Sequence, residues 1–235
     1  MECSLDAKIL SNIVDATIEL STYVNIDVSE EGWGVQATNM SRLALFSFSL
    51  NKDSFLNLRV TRPATVCINL SALKKVIKTM KSVNLMHLKL NNGMLDIVGE
   101  CEGKNIQCKL KTMEIQSEQL TVPQMEFEYV VNLPSVEFVQ TCQTVFGETV
   151  CIQAGSDIVF TSKGKDGNSH VQYTGAVIKS SGEFTLEFAS RYLTLFSKGL
   201  LMSKMVVIGM SPNAPISIEF SVAGGHMCYF LAPGH

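Results

Sequence analysis

The chain has 235 residues, 46% of them hydrophobic, and a formal net charge of −3. That is enough apolar material for a full core in one large or two small domains. The charge excludes a protein that coats nucleic acid with its whole surface, because phosphate binding draws on clustered Lys and Arg, so any such contact must be local.

In chain order, residues 7 to 18 carry helical spacing, with Ile9, Leu10, Ile13 and Val14 on one side. Val24-Asn25-Ile26-Asp27-Val28 then alternates with period two, as a half-buried strand does, and a turn is marked at Glu31-Gly32. A second helix is predicted over 71 to 81, with Leu73, Val76, Ile77 and Met80 forming its apolar face. Alternation returns at Leu88-Lys89-Leu90 and at Ile106-Gln107-Cys108-Lys109-Leu110, divided by the turn residues Asn91-Asn92-Gly93. Residues 116 to 129 have no clean period and contain Pro123, which reads as a connector. Helical spacing reappears over 135 to 146 (Phe138, Val139, Cys142, Val145, Phe146) and over 189 to 199 (Tyr192, Leu195, Phe196). Turn signals at 163 to 168 and at Ser211-Pro212-Asn213 punctuate the second half, and Ile216-Ser217-Ile218-Glu219-Phe220 alternates again.

The order helix, strands, helix, strands occurs twice, which implies an internal duplication. The expected fold class is α+β, with a first domain over 1–115, a connector over 116–129 and a second domain over 130–235. Two such halves leave unpaired strand edges, which a soluble protein must cover or use. Two complementary but different edges pair head-to-tail, and such contacts make rings when the rotation closes.

At 100° per residue Lys74, Lys75, Lys78 and Lys81 fall within one arc of the second helix, opposite its apolar face. Arg191 and Lys198 make a weaker copy on the fourth helix. Charge runs usually just keep a face solvated. Two corresponding helices sharing a positive face shift the reading toward phosphate contact. No catalytic motif is present: no nucleophile elbow, phosphate loop, His-Glu-x-x-His or Cys-x-x-Cys. Glu30-Glu31 reads as a solvated turn, and a non-enzymatic protein is expected. The seven cysteines are odd in number and the four histidines share no ligand spacing, so neither disulfides, nor a metal, nor another cofactor is expected. No apolar run approaches the roughly 18 residues of a membrane span. Met1 to Ile9 lacks a basic region followed by an apolar one, so neither secretion nor membrane insertion is expected.

Ser29-x-x-Gly32, Val35-Gln36, Asn69-Leu70-Ser71, Leu133-Pro134-Ser135-x-Glu137-Phe138, Arg191-Tyr192-Leu193, Met210-Ser211 and Leu231-Ala232-Pro233 together resemble the proliferating cell nuclear antigen family of eukaryotic DNA sliding clamps. The resemblance runs from about Leu5 to Pro233 and rests on the shared order and spacing of these motifs. It implies two clamp domains, each with antiparallel sheets outside and two helices on the inner face, in a homotrimeric ring around duplex DNA. Lys75, Lys78, Lys104, Arg191 and Lys198 match positions that approach phosphates, and Lys74 and Lys81 add to that face. It further implies a pocket for partner peptides formed by Leu43, Leu45, Leu120, Val122, Pro123, Phe127, Pro215, Phe230, Ala232 and Pro233, with Arg42 beside it. The implied partners are a DNA polymerase, the clamp loader, a flap nuclease and a ligase, in the nucleus.

The chain departs from the family at several points. Arg42 and Thr38 replace a usual histidine and methionine, so a different peptide preference is expected. Gln140 and Gln143 stand where arginines are common, and Gly155 where a lysine modified after DNA damage is common. The rival reading is a subunit of the heterotrimeric checkpoint clamp, against which the matched connector and the Leu-Ala-Pro segment weigh.

Overall fold

The computed structural model describes residues 1–113 and 125–234. They fall into two compact units, one of Met1–Met40, Phe46–Thr121 and Val222–His226, the other of Ser41–Leu45, Val122–Ser221 and Met227–His235.

The first unit begins with β1 (Glu2–Asp6), which runs directly into α1 (Ala7–Thr17). Asp6 makes that junction possible: its backbone is still extended while its carboxylate accepts the Lys8 N–H at 2.7 Å, satisfying an otherwise orphaned donor. After β2 (Tyr23–Ser29), β3 (Gly32–Thr38), β4 (Ala44–Asn51), β5 (Phe55–Arg59) and β6 (Ala64–Asn69) comes α2 (Leu70–Thr79). Here Asn69 is the cap, its side chain accepting from Ala72 N at 2.9 Å. Strands β7 (Leu85–Asn91), β8 (Met94–Cys101) and β9 (Lys104–Lys111) follow. The strands order as β5-β1-β7-β8-β9 and as β4-β3-β2-β6. Leu10 of α1, Leu73 of α2, Val28, Trp33 and Val66 of one set of strands and Leu88 and Leu95 of the other converge on one apolar core. The turn between β2 and β3 requires glycine, since Gly32 has φ +140° and a Cβ there would collide with the Leu50 carbonyl oxygen.

The second unit repeats this plan element for element. It runs β10 (Tyr129–Pro134), α3 (Ser135–Gln143), β11 (Thr149–Ala154), β12 (Ile158–Gly164), β13 (Gly167–Tyr173), β14 (Val177–Ser180) and β15 (Phe184–Ala189). It continues through α4 (Ser190–Phe196), a 3₁₀ turn at Ser197–Leu201, β16 (Met205–Met210), β17 (Ile216–Val222) and β18 (Gly225–Leu231). The strand orders, β14-β10-β16-β17-β18 and β13-β12-β11-β15, reproduce those of the first unit. β10 pairs antiparallel with β14 and β16 as β1 does with β5 and β7, and β11 pairs with β12 and β15 as β2 does with β3 and β6. The duplication read from the sequence is therefore present in the backbone.

All four helices end earlier than their spacing predicts, the last two by the most, at Gln143 and Phe196. The Thr141 and Thr144 hydroxyls bond back to the Glu137 and Gln140 carbonyls, and Ser162 Oγ captures Phe146 N at 3.0 Å, drawing the chain out of α3. Phe146, expected on the buried face, is 53% exposed as a result. α4 tightens into its 3₁₀ turn where Gly199 lies flat on the Phe220 ring, too close for any side chain.

Candidate functional site

α2 is divided sharply between its two faces. Leu73, Val76 and Ile77 are buried, while Lys75 and Lys78 project into solvent with no ion pair among the described residues. The other two lysines of the predicted arc behave differently. Lys74 Nζ lies 3.2 Å from Asp15 Oδ1 of α1, a pair in which both side chains remain over a third exposed (36% and 38%). Such a pair contributes at most about 1 kcal/mol and is readily exchanged. Lys81 lies beyond the helix, which closes at Thr79 with Met80 N bonded to Ile77 O, so it belongs to the following turn. The lysine-only arc of the sequence thus reduces to Lys75 and Lys78, with Lys74 partly neutralised. Lys104 opens β9 from an exposed hairpin that also carries Glu100 and Glu102.

In the second unit Arg191 is exposed on the first turn of α4. Its guanidinium lies 4.8 Å from the centre of the Tyr192 ring, and Nη2 donates to Tyr192 Oη at 3.1 Å. Lys198 is half-buried on the 3₁₀ turn. α3 presents Val136, Glu137, Gln140 and Gln143 to solvent and no cation.

The described members of the expected peptide pocket all belong to this second unit. Arg42 is exposed and held at φ +56°, a left-handed turn that brings Leu43 round so that its carbonyl accepts the Ala232 N–H at 2.9 Å. Leu43 is 43% exposed, although apolar. Leu45 and Phe230 are half-buried while their chain neighbours Ala44, Phe46, Tyr229 and Leu231 are fully buried, so strand alternation turns both away from the core. Pro215, Ala232 and Pro233 are also half-buried.

Phe127 packs onto Gly209 of β16, where any Cβ would fall within its ring. Its backbone is gripped by Lys179 Nζ, which donates to Phe127 O at 2.7 Å. At the next residue Ser181 Oγ donates to Glu128 O at 3.0 Å and Glu128 N donates to Ser211 Oγ at 3.0 Å. Gly209, Lys179 and Ser181 were missed in the sequence, where the only signal was a glycine interrupting the apolar run Met205–Met210. Leu120, Val122 and Pro123, and most of the expected connector, lie outside the described residues.

Comparison with known proteins decides the family. Residues 1–119 match the N-terminal domain of proliferating cell nuclear antigen, and residues 121–234 match its C-terminal domain. The chain belongs to the proliferating cell nuclear antigen family. Among solved structures, proliferating cellular nuclear antigen from Entamoeba histolytica superimposes with a TM-score of 0.92 at 21% identity, over 100% of this chain and 98% of that one, and so has the same fold.

As a member of the proliferating cell nuclear antigen family the chain is a DNA sliding clamp, a processivity factor of DNA replication and repair. The checkpoint-clamp alternative is not favoured. Three of the thiols suit a structural part: burial pushes Cys3, Cys142 and Cys228 up to about 12, far from the thiolate a nucleophile or metal ligand needs. Among the described residues no group of three or more His, Cys, Asp or Glu is placed to hold a metal, and no helix is long and apolar enough to cross a membrane.

Proposed function

We propose that this clamp closes as a homotrimeric ring and acts by topology, without catalysis, in the nucleus. The observation that carries the reading is a pair of unlike edges: β9 ends one sheet and β13 ends another, each bonded to a neighbour on one side only among the described residues. Unlike edges pair head-to-tail, and a closing rotation makes a ring. The joint runs between Lys104–Lys111 of one protomer and the stretch from His170 to Ile178 of the next. Within each protomer the domains run 1–115 and 130–235, joined by the connector 116–129.

In this ring Lys75 and Lys78 make the main phosphate contacts, with Lys74, Lys81, Lys104, Arg191 and Lys198 contributing less. Sequence-independent binding of duplex DNA follows, because these groups meet only the backbone. Leu43, Leu45, Phe127, Pro215, Phe230, Ala232 and Pro233, together with Leu120, Val122 and Pro123 of the connector, receive short peptides of the polymerase, clamp loader, flap nuclease and ligase. The half-exposed apolar side chains of Leu43, Leu45 and Phe230 support this, since they turn away from the core they adjoin.

Solution mass tests the ring: three chains of 25.8 kDa predict 77.4 kDa. A monomer at low micromolar concentration overturns it. Retention on closed circular duplex, abolished when the circle is cut, tests encirclement separately.

A further inference from the structure

Ser41, Tyr192 and Arg191 form a connected polar chain inside the second unit. Ser41 Oγ lies 3.4 Å from Tyr192 Oη, and the same oxygen accepts from Arg191 Nη2 at 3.1 Å. The Tyr192 ring is 5% exposed, tilts against Phe196 with centroids 6.4 Å apart, and carries the guanidinium over its face. Its hydroxyl is therefore held on a buried ring, between Ser41 and Arg191, whose residues are exposed. Ser41 immediately precedes Arg42, Leu43 and Leu45, and Leu43 is bonded to Ala232.

We propose that Ser41 and Tyr192 are positioning residues through which a peptide seated beside Leu43 and Ala232 strengthens the grip of Arg191 on DNA. The inference rests on the pocket and phosphate assignments of the proposed function. A phenol has one proton and two acceptor lone pairs, so Tyr192 Oη has the capacity to accept from Arg191 and donate to Ser41 at the same time, and the coupling uses that direction of the Ser41 contact. At 3.4 Å the Ser41 contact is the longer member of the chain, and a peptide seated against Leu43 acts by shortening it. Donation from Tyr192 to Ser41 polarises the phenol oxygen and makes it a better acceptor for Arg191. Arg191 has five N–H donors and spends one on Tyr192, leaving others for phosphate. A guanidinium already held in place gives up less freedom when it binds. By linkage, DNA must then raise peptide affinity by the factor by which peptide raises DNA affinity.

The test titrates a labelled clamp-binding peptide into the clamp free in solution and into the clamp loaded on nicked circular duplex. Wild type, Tyr192→Phe and Ser41→Ala are compared. The phenylalanine keeps the ring, its packing and the cation–π contact and removes only the shared oxygen. Wild type should bind roughly two- to fivefold tighter on DNA, at or below the lower end of usual allosteric couplings. In both variants that ratio should fall to about one, while free-clamp affinity changes less than about twofold. A merely structural role shifts both titrations together and leaves the ratio alone. A wild-type ratio of one, or a ratio that survives in both variants, overturns the coupling while leaving the pocket intact. Failure of the peptide to bind the free wild-type clamp instead removes the pocket assignment, and the coupling with it.

Discussion

α2 and α3 carry similar duties inside their units and opposite chemistry outside them. Each buries an apolar stripe, Leu73, Val76 and Ile77 in one and Phe138 and Cys142 in the other. Toward solvent α2 shows Lys75 and Lys78, whereas α3 shows Val136, Glu137, Gln140 and Gln143. The buried side answers to packing, which the repeated topology imposes on both units. The exposed side answers only to what the helix meets. The repeat matches α2 to α4 and α3 to α1, so the solvent faces of α2 and α3 belong to different positions of the duplicated plan, and the lysines of these two helices all sit on α2.

The deepest break in the comparison comes from the buried side. Phe138→Ala empties a site that is 0% exposed and should cost about 3–5 kcal/mol, read as a lower urea midpoint at fixed protein concentration. Lys75→Glu with Lys78→Glu should leave that midpoint nearly unmoved, because exposed substitutions rarely exceed about 0.5 kcal/mol. Instead, retention on circular DNA should drop, and the log-log salt dependence should flatten by about 0.9 for each phosphate that the protein no longer neutralises. Wild-type retention in that double variant would make the lysines a solvated face and no more. The smallest effect is expected from building the missing charge into the other helix. Gln140→Arg with Gln143→Arg should steepen the salt dependence by about 0.9, one phosphate, because Glu137, three residues before position 140, pairs with one of the two new guanidiniums. No change in slope would show that α3 does not face the duplex at all.

What was legible in the sequence was what is local. The central residues of the four helical stripes, such as Leu10, Leu73, Phe138 and Phe196, the alternation of the strands and the double order of elements depend on neighbours within a few residues, and the structure reproduces them. What was not legible depends on chain segments that meet only after folding. Nothing in the spacing of Lys74 announces that Asp15 will stand 3.2 Å away, and nothing in residues 135 to 146 announces that Ser162 will draw Phe146 out of the helix. The seat of Phe127 on Gly209 and the bond between Leu43 and Ala232 are long-range in the same sense. The family resemblance pointed to candidate pocket residues that periodicity alone would have assigned to loops and strand ends.

The unlike edges β9 and β13 also bear on how a closed ring is opened. A head-to-tail joint has no built-in stopping point, and a chain of protomers that failed to meet its own tail would grow as a filament. In the proposed ring, once three protomers close the circle, the last joint forms between parts of one molecule, at an effective concentration in the millimolar range for a short tether. Parting one joint then leaves the assembly linked through the other two. If β9 and β13 form the joint as proposed, a gap wide enough to admit a duplex needs only one such ladder to part, and the opened ring recloses without searching for a missing subunit.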